Sequence, residues 1–277
     1  MKINIFNSII FLSLLVLGCS KEDSQNPQCE NNALLKTKTI YNSVSPNTVP
    51  SIFKYQYDDF GNLIKELNYE REDRHLTRYF TYEYNDKNQL IKKDFFSENF
   101  DKNESSYKVI VKYTYQYENN KLIKKTKYRK TPNQENDFYI HEVHSYKYSN
   151  DKLIEEIIDY KQTGSQSKYL FEYKNNNLIK ETQYLFYSDD IFKYVWVYDN
   201  YNRKIKEIRY CNNVENQETI FEYAVNKIIN AKVYIGNDFI KEISYEYDSC
   251  GNLIQEKKEI KNPLSNEMPE LIIYEYY

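Results

Sequence analysis

YQYDDFGNLIKELNY, residues 55–69, spells out a β-hairpin. Tyr55 and Tyr57 sit two apart and so share one face of a strand. DDFGN is turn chemistry, and LIKELNY is the return strand. The unit recurs along the chain, and its recurrence decides the fold.

Aligned on the second Tyr of each pair, the anchors are Tyr57, Tyr84, Tyr117, Tyr148, Tyr173, Tyr198, Tyr223 and Tyr247, with Tyr276 near the end of the chain. Incoming strands alternate strictly. Phe53, Tyr55 and Tyr57 face one way, Lys54 and Gln56 the other; Phe80, Tyr82 and Tyr84 repeat this, as do Tyr113, Tyr115 and Tyr117. Alternation sustained over so many segments predicts strands throughout. The return strands begin with an apolar pair, such as Leu63-Ile64, Leu90-Ile91 and Leu122-Ile123; the sixth has Lys204-Ile205. Strict alternation places the first of each pair on the Tyr face and the second on the opposite one.

The turns come in two lengths with one register. Asp59-Phe60-Gly61 fits a three-residue turn whose last residue is left-handed, which Gly tolerates. Gly251 repeats this position, and Asn88 and Asn202 fill it with the next-best residue. Asn119-Asn120, Asn150-Asp151 and Asn175-Asn176 are two-residue type I′ candidates. In both cases the anchor Tyr faces the first apolar residue, as Tyr57 with Leu63 and Tyr117 with Leu122. A slip of one residue would turn every ring to the wrong face. Residues 33–41 read as a lone return strand that opens the array, and 271–277 as the closing strand. Residues 97–106, 129–137 and 211–218 read as polar outer loops.

The expected fold is all-β: an antiparallel hairpin meander of about 18 strands. Sheet twist forbids a flat array of that size, so the sheet is expected to curl or spiral with the Tyr face mainly inside. Composition agrees. There are 31 Tyr, 14 Phe and one Trp, while Gly and Pro number only five and six. Such a chain leans on side chains with an apolar body and a polar tip, suited to half-wet sheet faces. The formal charge of −3 comes from interspersed acids and bases, which argues against a nucleic-acid partner.

Residues 1–18 read as a signal peptide: Lys2, then an apolar run over Ile9–Leu17 too short to span a membrane. Val16-Leu17-Gly18-Cys19 resembles a bacterial lipobox. The resemblance implies that Cys19 is acylated (palmitate among its chains) and heads the mature protein, tying it to a membrane. Ser20-Lys21-Glu22-Asp23 resembles the signal that sends some Gram-negative lipoproteins to the outer face of the outer membrane. Residues 19–32 then form a polar tether and 33–277 a single repeat domain. Of the other cysteines, Cys250 lies in a hairpin turn and Cys211 at the far end of a return strand. Over 20 Å of strand separates those two ends, and a disulfide needs Cα atoms within about 7 Å. The two are therefore expected not to be bridged.

YDDFGNL and YDSCGNL resemble the YD repeat of the RHS family: Tyr-Asp, two variable residues, Gly, a polar residue, then Leu. The resemblance covers about residues 50–277. It implies a long antiparallel sheet that spirals into a hollow shell. The self-cleaving segment of toxin-carrying RHS chains has no match here, so no cargo domain is expected.

No catalytic motif stands out, and no enzyme activity or cofactor is expected. His141 and His144 are three apart, which puts them on opposite faces of a regular strand, poor for one metal. FKYVWVYD is apolar on both faces, and Tyr194, Trp196 and Tyr198 form the best candidate platform for a ligand. The expected function is non-catalytic binding or adhesion at the cell surface, with a glycan or protein ligand. The alternative is a structural role, docking on another envelope protein.

Overall fold

The computed structural model describes residues 33–41, 49–70, 75–98, 107–130, 137–185, 189–262 and 267–277. The expected signal peptide and tether, with Cys19, lie outside the described residues, as do most of the first two outer loops. Ala33–Tyr277 forms one compact unit. It contains eighteen strands and, among the described residues, no helix. The strands are Leu35–Tyr41 (β1), Ser51–Tyr57 (β2), Leu63–Glu70 (β3), His75–Tyr84 (β4), Leu90–Glu98 (β5) and Tyr107–Glu118 (β6). Lys121–Lys130 (β7), Phe138–Ser149 (β8), Lys152–Tyr160 (β9), Ser165–Lys174 (β10), Asn177–Tyr184 (β11) and Ile191–Tyr198 (β12) follow. The last are Lys204–Cys211 (β13), Val214–Ala224 (β14), Lys227–Ile235 (β15), Asp238–Tyr247 (β16), Leu253–Ile260 (β17) and Glu270–Tyr276 (β18).

Every strand pairs antiparallel with its chain neighbours, and β1 pairs with both β2 and β18. The curled sheet expected from the sequence is thus a closed barrel rather than a spiral. The seam repeats the hairpin unit. β18 carries the Tyr274/Tyr276 pair of an incoming strand, and β1 is a return strand. Tyr276 pairs with Leu35, and Tyr277 N–H donates to the Leu34 carbonyl at 2.9 Å. The two ends of the chain each supply half of a ninth hairpin, so neither edge is left unpaired.

The turns explain the motif. Asp58 Oδ1 accepts from the amides of Phe60 (3.0 Å) and Asn62 (2.8 Å), while Asn62 Nδ2 donates to Asp58 Oδ2 at 2.9 Å. Asn85 with Gln89, Asp199 with Arg203 and Asp248 with Asn252 repeat this clasp. The Asp of Tyr-Asp is the turn's own hydrogen-bond acceptor. Gly61, Asn88, Asn202 and Gly251 all sit at positive φ, between 56° and 91°. The two-residue turns at 119–120, 150–151 and 175–176 carry both central residues there, as in Asn119 (49°) and Asn120 (61°), the type I′ geometry. One expected outer loop differs: Asn212 and Asn213 (51° and 66°) make another tight turn, so 211–218 is mostly strand.

The return strands depart from simple alternation. Tyr57 pairs with Leu63, but Gln56 pairs with Lys65, which leaves Ile64 as an extra residue. The same β-bulge falls on Ile91, Ile123, Ile154, Ile179, Ile205, Ile229 and Ile254. In the closing hairpin it falls on Lys36. A bulge bends its strand and sharpens the twist, and repetition around the ring curves the sheet toward closure. Each bulge also resets the phase of the strand beyond it. Lys65 points outward, and Glu66 comes to share the inner face with Tyr55.

Candidate functional site

The inner face is lined by rings, with a row of mostly ionisable residues opposite the first aromatic of each pair. Glu66 faces Tyr55, Lys93 faces Tyr82, Lys125 faces Tyr115 and Glu156 faces Tyr146. Glu181 faces Phe171, Glu207 faces Trp196, Ala231 faces Phe221 and Glu256 faces Tyr245. Alternation counted from Leu63 puts Lys65 in this row instead of Glu66. The sequence reading therefore missed the whole row, and the recurring apolar pair was the only signal that a residue had been added.

This face lines a bore rather than a filled core. Only six apolar side chains are buried among the described residues, and Ser167 is the largest side chain fully shut off from solvent. Eighteen strands spaced about 4.8 Å apart and tilted by about 40° make a round ring roughly 35 Å across at the backbone. Rings projecting from each wall then leave an opening of roughly 20 Å. Outward positions carry charges throughout, including Lys54, Lys65, Glu83, Lys92, Lys124, Glu155, Lys180 and Lys206. A barrel that crosses a bilayer shows the reverse, an apolar band outside and polar residues within.

The interior polar groups are held in place. Tyr82 Oη donates to Glu66 at 3.0 Å, and Lys93 lies 4.1 Å from the Phe80 ring centroid and 4.9 Å from that of Tyr82. Burial pushes the hydroxyls of Tyr55, Tyr82, Tyr115, Tyr146 and Tyr245 well above the ordinary phenol range, with nearby carboxylates or phenols adding to it. Burial likewise lowers the ammonium groups of Lys93 and Lys125.

His144 bridges two carboxylates, with Nδ1 2.7 Å from Glu156 and Nε2 3.4 Å from Glu142. Burial opposes its charged form, but the two acids outweigh burial and raise its pKa. Burial also opposes ionised Glu142, yet His144 and Lys127 (2.8 Å) hold it down to about 2. His141 is not simply on the opposite face, as regular spacing implied. It is the extra residue of a bulge in β8, and its Nδ1 lies 2.9 Å from Glu142 without hydrogen-bond geometry. No group of three His, Cys, Asp or Glu among the described residues is placed to hold a metal ion.

Tyr194, Trp196 and Tyr198 keep one face of β12. Tyr194 and Trp196 stack on the inner face, with centroids 6.4 Å apart and planes at 16°. Trp196 Nε1 donates to Glu207 at 3.0 Å, and the Arg209 guanidinium lies 5.4 Å from the Tyr194 ring. Arg209 also binds Glu207 at 3.0 Å, and with Lys204 it keeps that carboxyl low against the effect of burial. Tyr198 instead ties neighbouring hairpins together, its hydroxyl donating to the Leu178 carbonyl at 2.9 Å. Next to the stacked pair stands Glu181, facing Phe171 on one side and Tyr194 on the other. Burial raises its pKa, Gln183 opposes this, and Glu156 and Glu207 add to it. Val197 points outward. Cys211 is a free thiol and Cys250 is disulfide-bonded, so these two are not joined.

The fold and its lining define a closed all-β barrel of hairpin repeats with an aromatic, ionisable bore. No family profile matches the chain, and no curated protein does. Among solved structures it is similar to a porin-like protein from Bacteroides uniformis, at 10% identity, covering 88% of this chain and 98% of that one, with a TM-score of 0.49. A porin-like protein from Bacteroides vulgatus gives 11% identity over 89% and 99%, with a TM-score of 0.38. A chain of the TcdB2-TccC3-Cdc42 complex gives 10% identity and a TM-score of 0.35; the match covers 86% of this chain but 15% of that one.

Proposed function

We propose that the protein is a non-catalytic, lipid-anchored protein of the outer membrane surface whose barrel interior binds a glycan. The observation that supports this most is the stacked Tyr194–Trp196 pair, flanked on the inner wall by Glu181, Gln183, Glu207 and Arg209. Sugar rings stack on aromatic faces, and their hydroxyls donate to carboxylates and accept from amide and guanidinium groups of this kind. The position of the pair also narrows the ligand. An opening of roughly 20 Å admits an oligosaccharide but not a folded partner, which favours the glycan over a globular protein ligand. Cys19, with Ser20-Lys21-Glu22-Asp23 after it, supplies the anchor and the address in this reading.

The protein has one Trp, so indole emission, excited beyond the tyrosine absorption band, reports on this wall alone. Detergent-purified full-length protein is screened on a glycan array, and hits are titrated by Trp196 emission. Saturable change is expected, with Tyr194→Ala weakening binding at least tenfold. Silence across the array, with one envelope protein recovered in stoichiometric amount, would favour the docking role instead.

A further inference from the structure

All hairpin turns that follow an anchor Tyr lie at one end of the barrel, and the described chain joins the barrel at that same end. Leu35 pairs with Tyr276, and the Leu34 side chain lies 4.0 Å from where a Cβ on Gly61 would sit. The rim there is uneven. Three apolar side chains at turn tips are four-fifths exposed or more: Phe60 (81%), Tyr201 (80%) and Val225 (85%). They belong to the hairpins β2–β3, β12–β13 and β14–β15. In ring order these hairpins fall in one arc with β16–β17 and the β18–β1 closure. The other four hairpins form the opposite arc, and their tips carry Asp86-Lys87-Asn88, Asn119-Asn120, Asn150-Asp151 and Asn175-Asn176.

We propose that the arc bearing Phe60, Tyr201 and Val225 rests on the surface of the lipid bilayer. This rests on the anchor reading above and goes beyond it by fixing which part of the barrel meets the membrane. Two features favour lipid as the occupant. Thirteen residues lie between Cys19 and Ala33, a reach of at most about 50 Å, so an acylated Cys19 holds this rim close to the bilayer. Tyr201 has the amphipathic form that suits the interface, with the Arg203 guanidinium 5.3 Å from its ring. The rim's mixed charges, Asp58, Asp59, Asp199 and Asp248 against Lys36, Arg203 and Lys227, point to a zwitterionic surface rather than an anionic one.

The test uses the full acylated chain on phosphatidylcholine vesicles, with and without brominated acyl chains, in a Trp196→Phe background. Phe60→Trp and Tyr201→Trp place an indole on the apolar arc, and Asn120→Trp places one on the polar arc. Brominated lipid is expected to quench the first two several-fold more strongly than the third. Equal quenching in all three, or none in any, overturns the proposal. A blue-shifted indole at position 60 that bromine does not quench also overturns it, by showing that protein covers the tip. Flotation separates the two readings. If the Trp196→Phe chain floats with vesicles and its Cys19→Ser form does not, the anchor stands whatever the quenching shows. If neither floats, the anchor fails and the rim proposal falls with it.

Discussion

The hydroxyl of Tyr84 donates a 2.9 Å hydrogen bond to the backbone carbonyl of Leu63, one hairpin back. The same staple joins Tyr117 to Leu90, Tyr148 to Leu122, Tyr198 to Leu178, Tyr223 to Lys204, Tyr247 to Ile228 and Tyr276 to Leu253. Each acceptor is the residue just before the bulge, whose carbonyl takes the hydroxyl of the next hairpin. This is why the anchor is Tyr and not Phe. Tyr84→Phe and Tyr117→Phe are each expected to cost about 1 kcal/mol, since each strands a carbonyl while keeping the ring. Urea denaturation would show it; an unchanged midpoint in both would remove the staple from the account.

The bulge at Ile64 decides which of two adjacent charges is inside. Glu66 accepts from Tyr82 and faces the bore, while Lys65 lies outside over the Tyr79 ring. Glu66→Lys is expected to destabilise by about 1–3 kcal/mol, through the lost acceptor and a second ammonium near Lys93. Lys65→Glu, at the surface, should cost about 1 kcal/mol or less. The opposite order of the two thermal midpoints would restore plain alternation.

Val225 holds φ at 55° in an exposed turn, a conformation that a β-branched residue resists. Val225→Asn is expected to stabilise the protein by about 1 kcal/mol. Its chemical-denaturation midpoint should rise; a fall would mean that the valine makes a contact worth more than its strain.

His144 gives the barrel a pH dependence. Its folded-state pKa is raised above the ordinary 6.5. Its contribution is therefore fully present below pH 6.5 and is lost as pH rises through the folded value. Glu142, held down to about 2, contributes above its ordinary carboxylate pKa and loses this as pH falls toward 2. Thermal midpoints are expected to decline from pH 6 to 9 in the native protein, and less so in His144→Gln. Parallel profiles for the two would contradict the pairing.

Glu181 works in the opposite sense to Glu142. Its raised pKa means that folding favours its neutral form, so stability declines as pH climbs from the ordinary carboxylate value through the folded one. Glu181→Gln is expected to be more stable than the native protein at pH 7 and no different at pH 4. A loss of stability at pH 7 would indicate a cation partner for this carboxylate.

Local chemistry in the sequence determined the hairpins. Tyr at every second position, Asp before the turn, and Gly or Asn where φ must be positive each act within a few residues, so strand number, turn positions and the Tyr57–Leu63 register were legible without coordinates. The bulges were not. An extra residue in a strand looks, in one dimension, like one more alternation, and only pairing across the ladder shows that Gln56 meets Lys65 and not Ile64. The ionisable row follows from that pairing, and a separate bulge in β8 brings His141 to Glu142. Closure was the other decision of the tertiary structure. Both halves of the ninth hairpin were readable, but they lie at opposite ends of the chain, and accumulated twist and bulge curvature alone bring Leu35 to Tyr276.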